Sequence, residues 1–390
     1  MMKIMTAMYT MKRGGSYDRF KMMLEAFLER GWEVHCLSLT PVQVQNICFH
    51  NHILPYPFRN KENSMAKLTV LLLFPLWSLW IGWRNRIDLI VAFGSLYAFI
   101  QGFAKWTLRR SMVTLIRGRS SFGMKIQNSF EWALYLNKFI EKVGLLFSDR
   151  IVTNNMAARD EMLECLAKSK NTDVQVLYNN IPPMNIHKAE GVSRTRNEYG
   201  IPEDAKILVT AGVLNRGKNI EALIKCLPEI GTPNVYVLIA GDGTTEADLR
   251  YKDFLQELAR KLGVDKRVIF TGWLEKEKLW KIYLASDLFV LPSLDEGMPN
   301  AMLEALGSGL PCMGSNIPGI RDILEYDELL FDPRGEGNLI AKIHRVFSNH
   351  QWLAEMKRLS RERKEAFEFD WGGRVFQLVT KGFNHVRDGR

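Results

Sequence analysis

The sequence predicts an α/β protein of two domains, each built on a parallel sheet. Three observations predict it. Short apolar runs of strand length alternate with helical patterns along the chain, as βαβ units do. Glycine-bearing loops follow several of those runs, at Gly14-Gly15, at Gly212 to Gly217, at Gly241 to Gly243 and at Asp295 to Gly297. The chain has 390 residues, enough for two domains of ordinary size. Asn179-Asn180-Ile181-Pro182-Pro183 reads as the exit from the first domain, so the expected domains are 1–183 and 184–369.

Composition excludes several classes. A chain with 47% hydrophobic and 24% charged residues is globular, not disordered. Its five cysteines are scattered and include no C-x-x-C, so neither a disulfide framework nor a zinc site is indicated. Reduced thiols and a cytoplasmic location are expected. No Asp-x-Asp and no His/Cys set has metal-ligand spacing, so no metal and no cofactor are expected. No nucleic-acid module is present, and no cleavable signal peptide is expected, because Met1 to Tyr9 is short and Lys12-Arg13 follow it instead of preceding it. The net charge of +9 is uneven. Residues 1–190 hold 24 Lys+Arg against 14 Asp+Glu; the rest hold 28 against 29. A basic half suits an anionic membrane leaflet, or is ordinary basic surface.

Lys3 to Tyr9 is the first expected strand. Lys12 to Gly15 is a turn, Tyr17 to Arg30 has helical spacing up to Gly31, and Glu33 to Leu39 is the next strand. This is a Rossmann-like opening without G-x-G-x-x-G, so a dinucleotide fingerprint is absent. Gly14 and Gly15 read either as a plain tight turn or as a close approach to a ligand.

Leu68 to Trp83 carries no charge and is flanked by Lys67, Arg84 and Arg86. It is short for a membrane span, and Pro75 interrupts it. Trp77, Trp80 and Trp83 recur every third residue. Two readings fit: an interfacial helix on a membrane surface, or a core helix packed on the sheet. The basic first half favours the first. Asp88 to Phe93 and Met112 to Ile116 are strands, Leu96 to Arg110 and Asn128 to Phe147 helices, and Ile151 to Asn154 and Val174 to Tyr178 the last strands of this half.

In the second half, strand Lys206 to Ala211 enters a loop holding Gly212, Arg216 and Lys218. Strand Asn234 to Ala240 enters Gly241-Asp242-Gly243, and helix Glu246 to Leu262, strand Val268 to Phe270 and helix Lys276 to Ala285 follow. Strand Leu288 to Leu291 then meets the loop Leu294 to Pro299, a helix with Asn300 as its expected N-cap, and a strand from Pro311. Glu296 lies in that loop and Glu304 in the helix, both past the carboxyl end of a strand, where open α/β sheets bind ligands. The helix N-terminus between them offers unpaired N–H groups to phosphate, and carboxylates accept from sugar hydroxyls. Glu304 is bracketed by Met302, Leu303, Ala305 and Leu306, a poor address for a merely solvated charge.

The stretch EGMPNAMLE, Glu296 to Glu304, resembles the E-x7-E motif of retaining GT-B glycosyltransferases, specifically glycosyltransferase family 4. LPS before it, and EALGSGLPCMGS and PGIRDIL after it, are similar to that family too. The resemblance covers most of the chain and is strongest over 205–333. It implies two Rossmann-like domains facing a cleft, with a helix near 370–390 crossing back to the first domain. It implies an acceptor-binding first domain and a donor-binding second domain. The reaction implied moves a sugar from a nucleotide-diphosphate donor, of UDP or GDP type, with retention and without metal. The acceptor is expected to be a glycan or lipid-linked intermediate of polysaccharide or glycoconjugate biosynthesis; the basic, tryptophan-rich first half, and not the resemblance, favours a lipid-linked one and peripheral contact at the inner face of the membrane through Trp77, Trp80 and Trp83.

The resemblance also assigns residues. Gly212 to Asn219 is similar to the family's G-R-L-x3-K-G loop, in which Lys218 matches the lysine that holds the pyrophosphate. Val213 stands where the family has arginine, and Arg216 in the same loop is the candidate replacement. Glu296 would contact the transferred sugar and Glu304 the ribose. Gly15, Gly212, Gly241, Asn300, Met302, Leu303 and Gly319 would line the donor. Arg117 stands where the family has a histidine; a guanidinium cannot shuttle protons near neutral pH but grips an anionic group bidentately. Two rival readings remain: a relative that binds nucleotide sugar or membrane without turnover, and a GT-B epimerase, which would need acid/base residues that are not evident here.

Overall fold

The computed structural model describes residues 1–9, 15–55, 64–117, 131–166, 172–184, 192–231 and 234–382. The expected Gly14 and the expected helix start at Asn128 lie outside these residues. The chain divides into two compact units, Met1–Tyr178 with Asp370–Arg390, and Asn179–Phe369. Residues 179–183, expected to close the first domain, therefore belong to the second unit. Asn179 Nδ2 donates to Met298 O at 3.3 Å, Ile181 N to Phe367 O at 2.9 Å, and Asn180 Nδ2 to Phe369 O at 2.9 Å. These bonds tie the segment to both ends of that unit's later chain.

The first unit is a seven-stranded parallel sheet in the order β3-β2-β1-β4-β5-β6-β7. Its strands are β1 Lys3–Ala7, β2 Glu33–Ser38, β3 Phe49–Ile53, β4 Leu89–Ala92, β5 Ser111–Ile116, β6 Arg150–Thr153 and β7 Asp173–Val176. The inner strands are apolar and buried on both faces, as parallel strands under helices must be. The edge strand β3 went unread, because FHNHI is polar and half-exposed.

Helices Ser64–Arg84, Ser95–Leu108 and Glu131–Phe147 pack side by side, and Gly15–Leu28 packs against the late helix Trp371–Thr380. The late helix is thus part of the first unit. Arg150 fastens its end, with Nη1 donating to Leu378 O at 2.7 Å and Lys381 O at 2.9 Å. Helix Ser64–Arg84 runs through Pro75 without a break. Its inner side, with Val70, Phe74, Ser78 and Ile81, is buried, while Leu72, Leu76, Trp80 and Trp83 are exposed.

The second unit is a six-stranded parallel sheet in the order β10-β9-β8-β11-β12-β13. Its strands are β8 Lys206–Ala211, β9 Val235–Ala240, β10 Val268–Gly272, β11 Leu288–Leu291, β12 Cys312–Ser315 and β13 Leu330–Phe331. The order reverses between β8 and β11, which are neighbours in the sheet though distant in sequence. That is the switch point at which open α/β sheets leave room for a ligand beyond the carboxyl ends of the strands.

Candidate active site

The loops after β8, β9 and β11 meet at this switch point. The loop after β8 makes a tight turn, Arg216–Lys218, and Leu294 N from the loop after β11 donates to Gly217 O at 2.8 Å. The two loops are thereby locked together. Lys218 Nζ donates to Glu296 Oε1, and Ser293 Oγ donates to the same oxygen at 2.8 Å. Both charged side chains are mostly buried, Glu296 12% and Lys218 20% exposed. A lysine held by a carboxylate is an ammonium in reserve. An arriving phosphate can share its protons without its having to be gathered from solvent.

Three glycines shape the surface around this pair. Gly212 has φ 143 and runs beside the Lys218 side chain, whose Cε a Cβ would meet at 3.6 Å. Gly241 has φ 136, and a Cβ there would sit 1.9 Å from Gly212 O. Only glycine fits, because the loops after β8 and β9 cross in contact. Gly319 opens the helix Pro318–Leu324, and a Cβ there would meet Gly297 O at 2.3 Å and Glu296 O at 2.4 Å. The backbone carrying Glu296 is therefore seated directly on Gly319. In the Gly241 loop, Asp242 pairs with Lys252 at 2.8 Å; burial raises its pKa, but Lys252 outweighs that and holds it below the usual range.

Helix Asn300–Gly307 starts next to the pair. Its N-cap is Pro299, not the expected Asn300, which is the first helical residue. Proline offers no capping side chain, and the Asn300 side chain caps nothing; its Oδ1 accepts from Asn179 Nδ2 at 2.9 Å. Met302 and Leu303 are fully buried, which makes them the packing side of the helix. Glu304, on the same helix, is half-buried, and its charge joins burial in pushing the Tyr283 hydroxyl up.

Arg216 is exposed and lies over the rings of Tyr251 and Phe254, with its guanidinium carbon 5.8 and 5.6 Å from their centroids. The stack holds it extended at the rim of the loop that carries Lys218.

In the first unit, Gly15 begins the helix Gly15–Leu28. Arg117 follows β5 directly and stands over Trp371, 5.4 Å from the ring centroid; Arg19 stands over the same ring at 5.5 Å. Burial and the neighbouring Arg19 lower the Arg117 pKa to about 9. Two guanidiniums crowd one indole here, a local positive field that sequence reading of Arg117 alone missed.

Trp77 corrects an expectation. It packs partly buried against the core, edge-on to Phe74 at 5.5 Å, whereas Trp80 and Trp83 are exposed. A spacing of three lags the helical period by about 60° per step, so the three rings fan around the helix instead of sharing a side. Sequence reading also found no ligand-like cluster, yet β2 and β3 bring Glu33, His35 and His50 within 4.8 Å of one another. Glu33 Oε1 bonds His35 Nε2 at 3.0 Å and His50 Nε2 at 3.2 Å. The set is split across paired strands, so no linear spacing announces it. It belongs to the first unit.

Comparison with known proteins bears on the fold and on the second half of the chain. Residues 192–365 match the family model described as Glycosyl transferases group 1. An uncharacterized glycosyltransferase of Methanocaldococcus jannaschii is 28% identical over 249 residues, 62% of this chain and 61% of that protein. The N-acetyl-alpha-D-glucosaminyl L-malate synthase of Bacillus anthracis is 27% identical over 194 residues, 50% of this chain and 48% of that one. The matched stretch thus spans about half to three fifths of these two relatives. Among solved structures, sucrose-phosphate synthase from Thermosynechococcus elongatus superposes with a TM-score of 0.79 at 20% identity, covering 99% of this chain and 100% of that one. HepE of Anabaena, solved in complex with UDP and glucose, superposes with a TM-score of 0.77 at 16% identity, covering 98% and 100%. The fold is that of these GT-B proteins.

Proposed function

We propose, from a chain whose residues 192–365 match the family model described as Glycosyl transferases group 1, that this protein is a retaining, metal-independent glycosyltransferase of the family 4 type. The observation that carries the reading is the Lys218–Glu296 pair, set by Ser293 and Gly319 beyond the carboxyl ends of β8 and β11. The second unit takes a nucleotide-diphosphate sugar, and the first takes a glycan or lipid-linked acceptor. HepE was solved with UDP, and by that analogy the donor is of UDP type, with GDP as the second choice.

In this reading the bond between the anomeric carbon and the β-phosphate oxygen breaks. The acceptor oxygen bonds to the same face of that carbon, and its proton passes to the departing phosphate. Lys218 Nζ, the first N–H groups of Asn300–Gly307 and the Arg216 guanidinium meet the charge that grows on the diphosphate. Glu296 stabilises the cationic sugar and anchors its hydroxyls. Glu304 accepts from the ribose hydroxyls. Gly212 and Gly241 let backbone approach the nucleotide. Arg117, with Arg19, binds an anionic group of the acceptor.

The test is calorimetric binding of UDP, GDP and ADP with EDTA present, on the wild type and Glu304→Ala. One nucleotide binding tightly, and weakly to Glu304→Ala, supports the reading. No binding by the wild type favours a relative that has lost turnover. Binding that requires added divalent metal sinks the metal-independent mechanism.

A further inference from the structure

We propose that the first unit holds one divalent transition-metal ion, of the zinc type, at the edge of its sheet, between Glu33 and His35 of β2 and His50 of β3. None of these residues has a part in the transfer chemistry above.

Strand geometry brings them together. Side chains two apart on a strand share a face, and β2 and β3 run parallel with His35 opposite His50. Glu33, His35, His50 and His52 therefore stand on one face of the two outermost strands. Glu33 Oε1 is 3.0 Å from His35 Nε2 and 3.2 Å from His50 Nε2, and the three atoms lie within 4.8 Å of one another. Tetrahedral ligands at about 2.0–2.1 Å from zinc stand about 3.4 Å apart. Two of the three separations are already near that value. The His50 side chain is 44% exposed, so its ring can turn to close the third.

Groups behind the ligands aim them. Lys3 Nζ holds Glu33 Oε2 at 2.8 Å, which leaves Oε1 for the histidines. The His35 side chain is 2% exposed, and its far ring nitrogen, Nδ1, meets His52 Nε2 at 2.9 Å. A bond from the far nitrogen to a fixed partner is what orients a ligating imidazole. Without the ion, the Glu33 carboxylate only accepts, so each Nε2 carries the proton that it donates. With the ion bound, each Nε2 offers its lone pair and the ring protons stand on Nδ1. The His35–His52 bond then reverses direction and is kept.

The donor set selects the ion. Two imidazoles with one carboxylate oxygen suit zinc and its first-row neighbours, whereas magnesium and calcium prefer oxygen alone. Three protein ligands leave a fourth position for water on the exposed side. The consequence is mechanical. β3 is the polar edge strand and pairs on one side only. An ion shared by β2 and β3 clamps that strand to the sheet and blunts the edge.

The test is calorimetric titration of zinc chloride into the untagged full chain after EDTA treatment and dialysis, with magnesium chloride as the contrast. The wild type is expected to bind one zinc ion per chain and no magnesium. Its thermal midpoint should rise by about 5 °C when zinc exceeds the Kd a hundredfold. His50→Ala, at the surface and so no risk to folding, should bind zinc at least about a hundredfold more weakly, and His52→Phe about tenfold. His344→Ala/His350→Ala, which removes two exposed histidines of the second unit, should change nothing. A wild type that binds no zinc overturns the proposal. Equal binding by wild type and His50→Ala also overturns it, because the ion is then held adventitiously by other surface groups. Nucleotide binding is measured with EDTA present, so failure here leaves the donor reading untouched.

Discussion

Lys218 Nζ and Ser293 Oγ converge on one oxygen of Glu296, the Ser293 bond being 2.8 Å. The carboxylate is aimed by two donors from different loops, and so is fixed before any ligand arrives. Substituting Glu296→Gln or Lys218→Met is expected to lower kcat by about 10²- to 10³-fold, the usual cost of one charge-stabilising group. The thermal midpoint should change little for Gln and more for Met, which leaves Glu296 without its cation. Steady-state transfer rates and calorimetric unfolding check both. A Glu296→Gln enzyme at full speed would remove Glu296 from the mechanism.

Gly241→Ala tests the loop crossing. A Cβ at 1.9 Å from Gly212 O, at φ 136, must displace backbone. The expected loss is on the order of 3 kcal/mol from strain and overlap together. Chemical denaturation measures it. By contrast, Gly263→Ala has φ 66 but no neighbour within 4 Å, and should cost only the backbone term, about 1 kcal/mol.

Tyr283 offers a stabilising change. Its hydroxyl is buried and has no hydrogen-bond partner, while Glu304 and burial both push its pKa up. Tyr283→Phe removes an unsatisfied polar atom and keeps the ring that meets Phe289 edge-on. The expected gain is about 1 kcal/mol in denaturant unfolding. A loss would mean the hydroxyl has a partner, such as ordered water.

The His35 cluster sets an acid limit. Burial, then His52, lowers the His35 pKa from 6.5 to about 4. The unfolded chain therefore takes up a proton near pH 6.5 that the folded chain refuses until about 4. Stability is whole above the higher value and is lost as pH falls through this window. Glu33, where Lys3 outweighs burial and holds the pKa below 4.5, adds a loss of the same sign at lower pH. The thermal midpoint is expected to fall from pH 7 to pH 4, and His35→Gln to flatten the upper part of that slope. A midpoint constant over this range would contradict the assignment.

The second unit was more legible in the sequence than the first. Its strands are apolar and separated by glycine loops, and Lys218, Glu296 and Gly319 each stand at a strand end where periodicity changes. Their mutual contact was not readable, because it is made by two loops 78 residues apart. Ser293 hid in the same way, as one polar residue of a turn. The strands β3 and β13 escaped because one is polar and the other has two residues. Asn300 was read as a cap on residue type alone, and the proline before it took the place. In the first unit, the tryptophan spacing of three suggested a single face, but the helical period turns Trp77 inward.

The helix Trp371–Thr380 belongs with Gly15–Leu28, although the whole of the second unit is written between them. During synthesis, residues 179–369 leave the ribosome as an uninterrupted unit and can close their six-stranded sheet at once. The first unit cannot. Its Trp371 socket, bordered by Arg19 and Arg117, stays open until the second unit has been translated and residues 371–380 follow it. The unit begun before the other is completed after it. A chain halted before residue 370 should carry a folded second unit and an unfinished first one, with Phe27 and Trp32 left without Phe376.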